Sequence, residues 1–332
     1  MKTITIKPVF TDNEIDKREG DYFPASHYKT IIKSDTDVYG ITDSGEKILL
    51  LKFRKNVIPN DLCVKAYHAL EKHAQKRNYN RGAASGKLNV KRLPSYARTI
   101  KARQSFRAYY TDKNGSRKKD HISNMAQSNI AGYYDKPDRN AYGIRHLRKG
   151  KAIAADRNLF SQSSKNKRQP PKCRTTQFTA EQVDKWRDTV PLLIAADRVF
   201  KSLVPEAYKR QVARASRTPA FRIAKTAFST ITLNYNWRTA CHKDKGDYSE
   251  GFGNLMVLEK GKCVEGADNY AGGYLGFPKW GVAVDVRQGD FLAMDVHQWH
   301  CNTEIQKEKN GGANYGRLSV VCYLREGMLA CE

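Results

Sequence analysis

The sequence has little of what would staple a small secreted domain or build a zinc module. Its seven cysteines, Cys63, Cys173, Cys241, Cys263, Cys301, Cys322 and Cys331, are odd in number, scattered, and form no C-x-x-C pair. Neither a disulfide framework nor a structural zinc site is therefore expected, and a reducing, intracellular setting is. Long apolar runs are missing too. No stretch approaches the ~18–20 residues needed to cross a bilayer, and Met1 to Phe10 keeps Lys2 and Lys7 where a secretory leader would be apolar. The expectation is a soluble protein with no membrane partner, a monomer, with nucleus and host or bacterial cytoplasm all left open. No internal repeat is visible.

Acidic residues are scarce in only one part of the chain. Over 332 residues, 59 Lys and Arg face 34 Asp and Glu, a net charge of +25. Residues 222–332 carry thirteen of each sign, so the whole excess sits in residues 1–221. Solubility needs far less than this, and such an imbalance points to a polyanion: DNA first, with RNA not excluded.

Three segments follow from the pattern. Residues 1–58 mix short β-like pieces, Thr3 to Ile6 and Lys47 to Phe53, with turns, and read as a small sheet flanking the core. Residues 59–221 combine support helices with a basic region. One helix opens at Pro59-Asn60-Asp61 and buries Leu62, Ala66, Leu70 and Ala74. A second follows Thr179-Ala180-Glu181-Gln182, which has the form of a capping box, and presents Val183, Trp186, Val190, Leu193 and Ile194. More helix runs from Arg198 to Ala215, interrupted near Pro205.

Between these helices the composition changes. Arg81 and Gly82 open a small-residue loop through Gly86. Lys87, Lys91, Arg92, Arg98, Lys101, Arg103 and Arg107 then alternate with Tyr96, Phe106, Tyr109 and Tyr110, cations for phosphates beside rings for bases. Residues 139–174 hold eleven Lys and Arg against Asp156 alone, and the run around Lys165, Lys167 and Arg168 reads as a basic loop near 161–175. Residues 222–332 are β-rich, with strands expected near 231–235, 253–258, 273–277, 281–286, 291–296 and 318–324.

That last segment carries the chemistry. Side chains alternate along a strand, so His242 and Asp244, two apart, can offer a nitrogen and an oxygen to one cation. His300 follows a further fifty-odd residues of β pattern. Two imidazoles and a carboxylate on one face of a metal leave other positions open, the arrangement suited to non-haem Fe(II) that must also bind a co-substrate and O2. Arg317 and Ser319 again share a strand face, where a guanidinium and a hydroxyl can grip a carboxylate. His297, three residues before His300, is the competing ligand; otherwise it lines the pocket or hydrogen-bonds behind a ligand.

The order His242-Lys243-Asp244, then Gly272-Gly273-Tyr274-Leu275, then His300-Cys301-Asn302-Thr303-Glu304, then Arg317-Leu318-Ser319 resembles the Fe(II)/2-oxoglutarate dioxygenases. Leu233-Asn234-Tyr235-Asn236 and the Arg81–Gly86 loop narrow the resemblance to the TET/JBP branch, which oxidises the methyl group of thymine or 5-methylcytosine. The chain departs from TET enzymes in lacking their cysteine-rich zinc region.

The resemblance implies an α+β protein with a double-stranded β-helix (jelly-roll, cupin-like) core, supporting N-terminal helices and a basic extension. It implies iron on His242, Asp244 and His300, and 2-oxoglutarate on Arg317, Ser319 and Asn234. O2 completes the set; ascorbate is the alternative co-substrate that the intact Arg317-x-Ser319 disfavours. The function implied is oxidation of a methylated base, 5-methylcytosine ahead of thymine, in DNA bound by Arg81, Gly82, Lys91, Arg92, Arg98, Arg103, Lys165, Lys167 and Arg168, with the base flipped out of the duplex. A prolyl or lysyl hydroxylase of the same fold, or a basic binding protein with an inactive barrel, are the rival readings.

Overall fold

A computed structural model describes residues 2–93, 97–99, 106–111, 117–135 and 173–331. A nine-stranded sheet forms its spine, in the spatial order Lys2–Ile6, Thr36–Ile41, Lys47–Arg54, Phe291–Met294, Gly253–Glu259, Arg317–Tyr323, Thr230–Tyr235, Ser128–Tyr134 and Arg174–Thr175. A four-stranded sheet, Cys301–Asn302, Leu275–Phe277, Val282–Val284 and Thr30–Ile32, faces it. Together they make the double-stranded β-helix.

The period-two alternation of the central strands explains both of their surfaces. Leu318, Val320 and Cys322 point one way, as do Ile231, Leu233 and Tyr235 on the neighbouring strand and Met256 and Leu258 on the other side. They pack under the helices Asn60–Ala74 and Val183–Leu203, which contribute Tyr67, Leu70, Leu193 and Phe200. The residues between them, Arg317, Ser319 and Val321 with Thr232 and Asn234, face into the β-helix and line its cavity. Leu255 and Val257 also turn inward, into the second core between the sheets with Phe277, Val284 and Met294.

Several expectations are corrected. The strands of residues 1–58 are not a separate flanking sheet: Lys47–Arg54 pairs directly with Phe291–Met294, and Thr30–Ile32 joins the opposing sheet. The β-helix also recruits Ser128–Tyr134, which pairs with Thr230–Tyr235 across about a hundred residues of chain. Thr179 is no cap. It is buried one turn before the long helix, where its hydroxyl accepts the Gly132 N–H at 2.8 Å. Finally, Cys173 and Cys331, 158 residues apart, are joined as a disulfide that no local spacing announced, while Cys63, Cys241, Cys263, Cys301 and Cys322 are free.

The helix expected near Arg198–Ala215 is broken at Val204, and Pro205 begins the next helix at a position where its missing N–H costs nothing. Among the described residues no helix is long and apolar enough to cross a membrane.

Candidate active site

The cavity between the sheets has a volume of about 400 Å³ and is lined by His242, Asp244, His300, Asn234, Arg317 and Ser319 among others. His242 and His300 lie on two segments that meet as an antiparallel bridge, each backbone N–H donating to the other's carbonyl at 3.0 Å. Their rings stand 4.4 Å apart. Each ring is oriented from behind: His242 Nδ1 lies 2.7 Å from the Ala240 carbonyl and His300 Nδ1 lies 2.9 Å from the Gln298 carbonyl. A carbonyl can only accept, so both Nδ1 atoms carry the proton and both Nε2 lone pairs face the cavity, as metal-ligating histidines require.

Asp244 completes the group. Its two oxygens are each 3.6 Å from one Nε2, Oδ1 from His242 and Oδ2 from His300. That separation is too long for a hydrogen bond and suits atoms that share an ion at about 2.1 Å from each. The ligand atoms of His242, Asp244 and His300 all lie within 4.8 Å of one another.

Their protonation fits the same use. Burial pushes His242 down to about 4, with the adjacent His300 adding to the effect, so its imidazole is neutral at physiological pH. Burial works to raise Asp244, but His300 and His242 outweigh it and hold the carboxyl well below the ordinary range. His300 is shifted upward, because Asp244 beside it overcomes the opposing effect of burial.

His297 stands outside this cluster. Its Nδ1 bonds Asp295 Oδ1 at 3.1 Å, and its Nε2 is buried with no partner among the described residues. Cys241 and Cys301, next to the two histidines, turn to the opposite face and pack with Tyr28 and Trp299.

Beside the triad, Arg317 is 2% exposed, and its Nε and Nη2 are buried with no hydrogen-bond partner among the described residues. A buried, unmatched guanidinium is expensive unless something anionic joins it. Asn234, opposite Ser319 in the strand register, likewise has an Oδ1 without a partner. Two parallel N–H donors, a hydroxyl and an amide at the end of a dry slot match one end of a dicarboxylate, so the residues fit 2-oxoglutarate as they fit iron.

Sequence reasoning missed Gly273, although the Gly272-Gly273 pair was visible. Its φ is +68°, and a Cβ there would come 2.9 Å from Arg317 Cδ and 3.0 Å from Nε. Gly273→Ala is expected to raise the KM for 2-oxoglutarate by about tenfold while leaving kcat nearly unchanged, since the strain falls on the guanidinium rather than on the triad. Steady-state kinetics checks this, and an unchanged KM would mean that the slot tolerates the methyl.

The nucleic-acid residues divide. Arg81 is not on the outer basic surface: its Nε and Nη2 donate to the Ser128 carbonyl at 3.1 and 2.8 Å, and it lines the cavity, near enough for its charge to lower Asp244 further. Its small-residue neighbours Ala83 and Ala84 line the same wall, which is how the loop brings a long side chain inward. Gly82 has open space around it, and Lys91 and Arg92 are exposed in the turn Val90–Arg92. Arg98 lies on the strand Ala97–Thr99. Arg103, Lys165, Lys167 and Arg168 lie outside the described residues, as do Tyr96 and Lys101. Tyr109 is buried, so it serves the core and not a stacking surface.

Across the cavity from Arg317 the wall is formed by Asp247, Tyr323 and Arg325. Arg325 is fixed by Asp135 at 2.6 Å and pairs its backbone with Asp247. Burial, with Asp244 close by, pushes the Asp247 carboxyl well above its ordinary range, and its Oδ2 has no partner among the described residues.

Residues 159–326 match the family model Tet_JBP, described as the oxygenase domain of the 2OGFeDO superfamily. The chain belongs to the Tet_JBP family. Thymine dioxygenase JBP1 of Trypanosoma brucei brucei is 36% identical over 157 residues, which are 47% of this chain and 17% of that protein. The bifunctional helicase and thymine dioxygenase JBP2 of Trypanosoma cruzi is 35% identical over 167 residues, 48% of this chain and 14% of that one. The Tet_JBP chain thus spans a small part of these relatives' length. Among solved structures, NgTET1 in complex with 5mC DNA aligns with a TM-score of 0.46 at 11% identity, covering 88% of this chain and 77% of the other.

Proposed function

We propose that this Tet_JBP chain is an Fe(II)- and 2-oxoglutarate-dependent dioxygenase that oxidises the 5-methyl group of a pyrimidine in DNA. One observation carries the reading: a three-residue metal cluster and an unmatched buried guanidinium share one cavity. The rivals explain less. An inactive barrel has no use for two oriented Nε2 lone pairs, and a protein hydroxylase has none for +25 of charge.

His242, Asp244 and His300 would hold the metal on one face. Arg317, with Ser319 and Asn234, would take the far carboxylate of 2-oxoglutarate. Bound together, iron, 2-oxoglutarate and O2 supply an oxidant for a methyl C–H bond, with succinate and CO2 as co-products. The rest is positioning. A methyl group in a duplex cannot reach this depth, so the nucleotide must leave the stack, and the basic N-terminal two thirds would offset that cost through phosphate contacts. Once inside, the base meets Asp247, whose protonated carboxyl offers a donor and an acceptor together, flanked by the Tyr323 ring and the fixed Arg325.

The relatives' names favour thymine, whereas the sequence alone placed 5-methylcytosine first; the carboxyl of Asp247 can pair with the edge of either base. Mass spectrometry of nucleosides from duplexes containing both, after incubation with Fe(II), 2-oxoglutarate and O2, is expected to find 5-hydroxymethyluracil. Oxidised 5-methylcytosine alone would reverse the preference. Succinate release stimulated by peptides and not by DNA would sink the reading.

A further inference from the structure

Few large apolar side chains of this protein face solvent, and two of them sit side by side at the rim of the cavity. Asn78 and Ala126 form an antiparallel bridge in which each N–H donates to the other's carbonyl at 2.8 Å. The adjacent pair, Tyr79 with Met125, is then a non-hydrogen-bonded pair, the kind whose side chains stand closest together. Alternation sends that pair outward, because Ala126 is 0% exposed and faces the interior. Tyr79 is 51% exposed and Met125 42%.

The next residues, Asn80 and Arg81, already line the cavity that holds His242, Asp244 and His300. At ~3.3 Å of chain per residue, Tyr79 and Met125 lie within about 7 Å of its wall. Cations border them. Arg107 reaches across to Asn80 Oδ1 at 2.8 Å, and exposed Lys91 and Arg92 follow on the same loop.

We propose that Tyr79 and Met125 form a wedge that enters the DNA duplex where the target nucleotide leaves it, stacking against the neighbouring base pair. The idea rests on the reading of the protein as an enzyme acting on a base in DNA. Apolar wedges are how proteins unstack a base step, and the gap left by a flipped base is an apolar slot flanked by phosphates. A thin apolar ridge bordered by cations fits that slot. A protein partner's apolar patch would call for a broader surface with fewer charges around it.

The test compares Tyr79→Ala, Met125→Ala and the double variant with the natural chain on one oligonucleotide, presented either as a duplex or as a single strand. Iron content and the KM for 2-oxoglutarate are measured alongside. On the duplex, kcat/KM is expected to fall by about fivefold to tenfold for each single variant and about thirtyfold for the double one, the scale of one lost base–side-chain stack. On the single strand, all three are expected to stay within about twofold of the natural chain, because nothing needs to be flipped. Met125→Leu should restore most of the duplex activity. A 2-aminopurine placed next to the target base should brighten with the natural chain and stay dim with the double variant.

Undiminished duplex activity in the double variant overturns the wedge. So do equal losses on both substrates, which would mark the pair as structural. Should the natural chain act on neither form of DNA, the functional reading itself fails and the wedge fails with it.

Discussion

His300→Ala should lose both bound iron and turnover, by more than the ~10–100-fold that removing a residue behind a metal ligand costs. Nothing nearby can substitute. His297 is tied to Asp295 through Nδ1 at 3.1 Å and is not among the three residues whose ligand atoms converge, so it cannot swing in without breaking that bond. The control is His297→Ala, which should keep its iron. Metal analysis of both purified variants, with turnover measured on the same preparations, checks the pair of expectations. Full iron occupancy in His300→Ala, or iron lost only from His297→Ala, would refute the assignment of the third ligand.

Arg317→Met should separate stability from function in opposite directions. Without co-substrate, the guanidinium is 2% exposed with two N–H-bearing atoms unmatched, a state that costs free energy in the folded protein. Replacing a buried ion by an apolar side chain of similar volume is commonly neutral or stabilising by ~1–4 kcal/mol. The variant's Tm in the absence of 2-oxoglutarate should therefore stay level or rise. With 2-oxoglutarate the natural protein gains a buried carboxylate–guanidinium pair, and losing one partner of such a pair costs ~3–5 kcal/mol, about 10²–10³-fold in affinity. The natural chain should show a large 2-oxoglutarate-dependent rise in Tm and the variant almost none. A variant less stable than the natural chain, yet still stabilised by 2-oxoglutarate, would show that Arg317 serves the fold and not the co-substrate.

Some of this was legible in the sequence because it is local. His242 and Asp244 are two residues apart on extended backbone, and so are Arg317 and Ser319; alternation alone places each pair on one face. The helix Asn60–Ala74 was readable from apolar spacing, and the break before Pro205 from the imino acid itself. What was hidden depends on distant chain. Ser128–Tyr134 carries a glycine at φ +89° and little alternation, and it becomes a strand only because Thr230–Tyr235 lies alongside. Arg81 sits in a small-residue loop before a run of cations, so its local context suggested a surface contact. Only the Ser128 carbonyl, 47 residues away, turns it inward. Thr179 failed as a cap for a similar reason, since a buried N–H from Gly132 claims its hydroxyl.

The strand Arg317–Tyr323 leaves no spare face: one side floors the cavity and the other is the bed for the helices. Sliding it by a single position would put leucine and valine where the co-substrate binds and drive an arginine beneath Tyr67. Insertions or deletions inside it should therefore destroy folding and turnover together. Length changes in the exposed turn around Glu308–Gly312 should be absorbed, so that turn is where a tag or reporter could be inserted without silencing the protein.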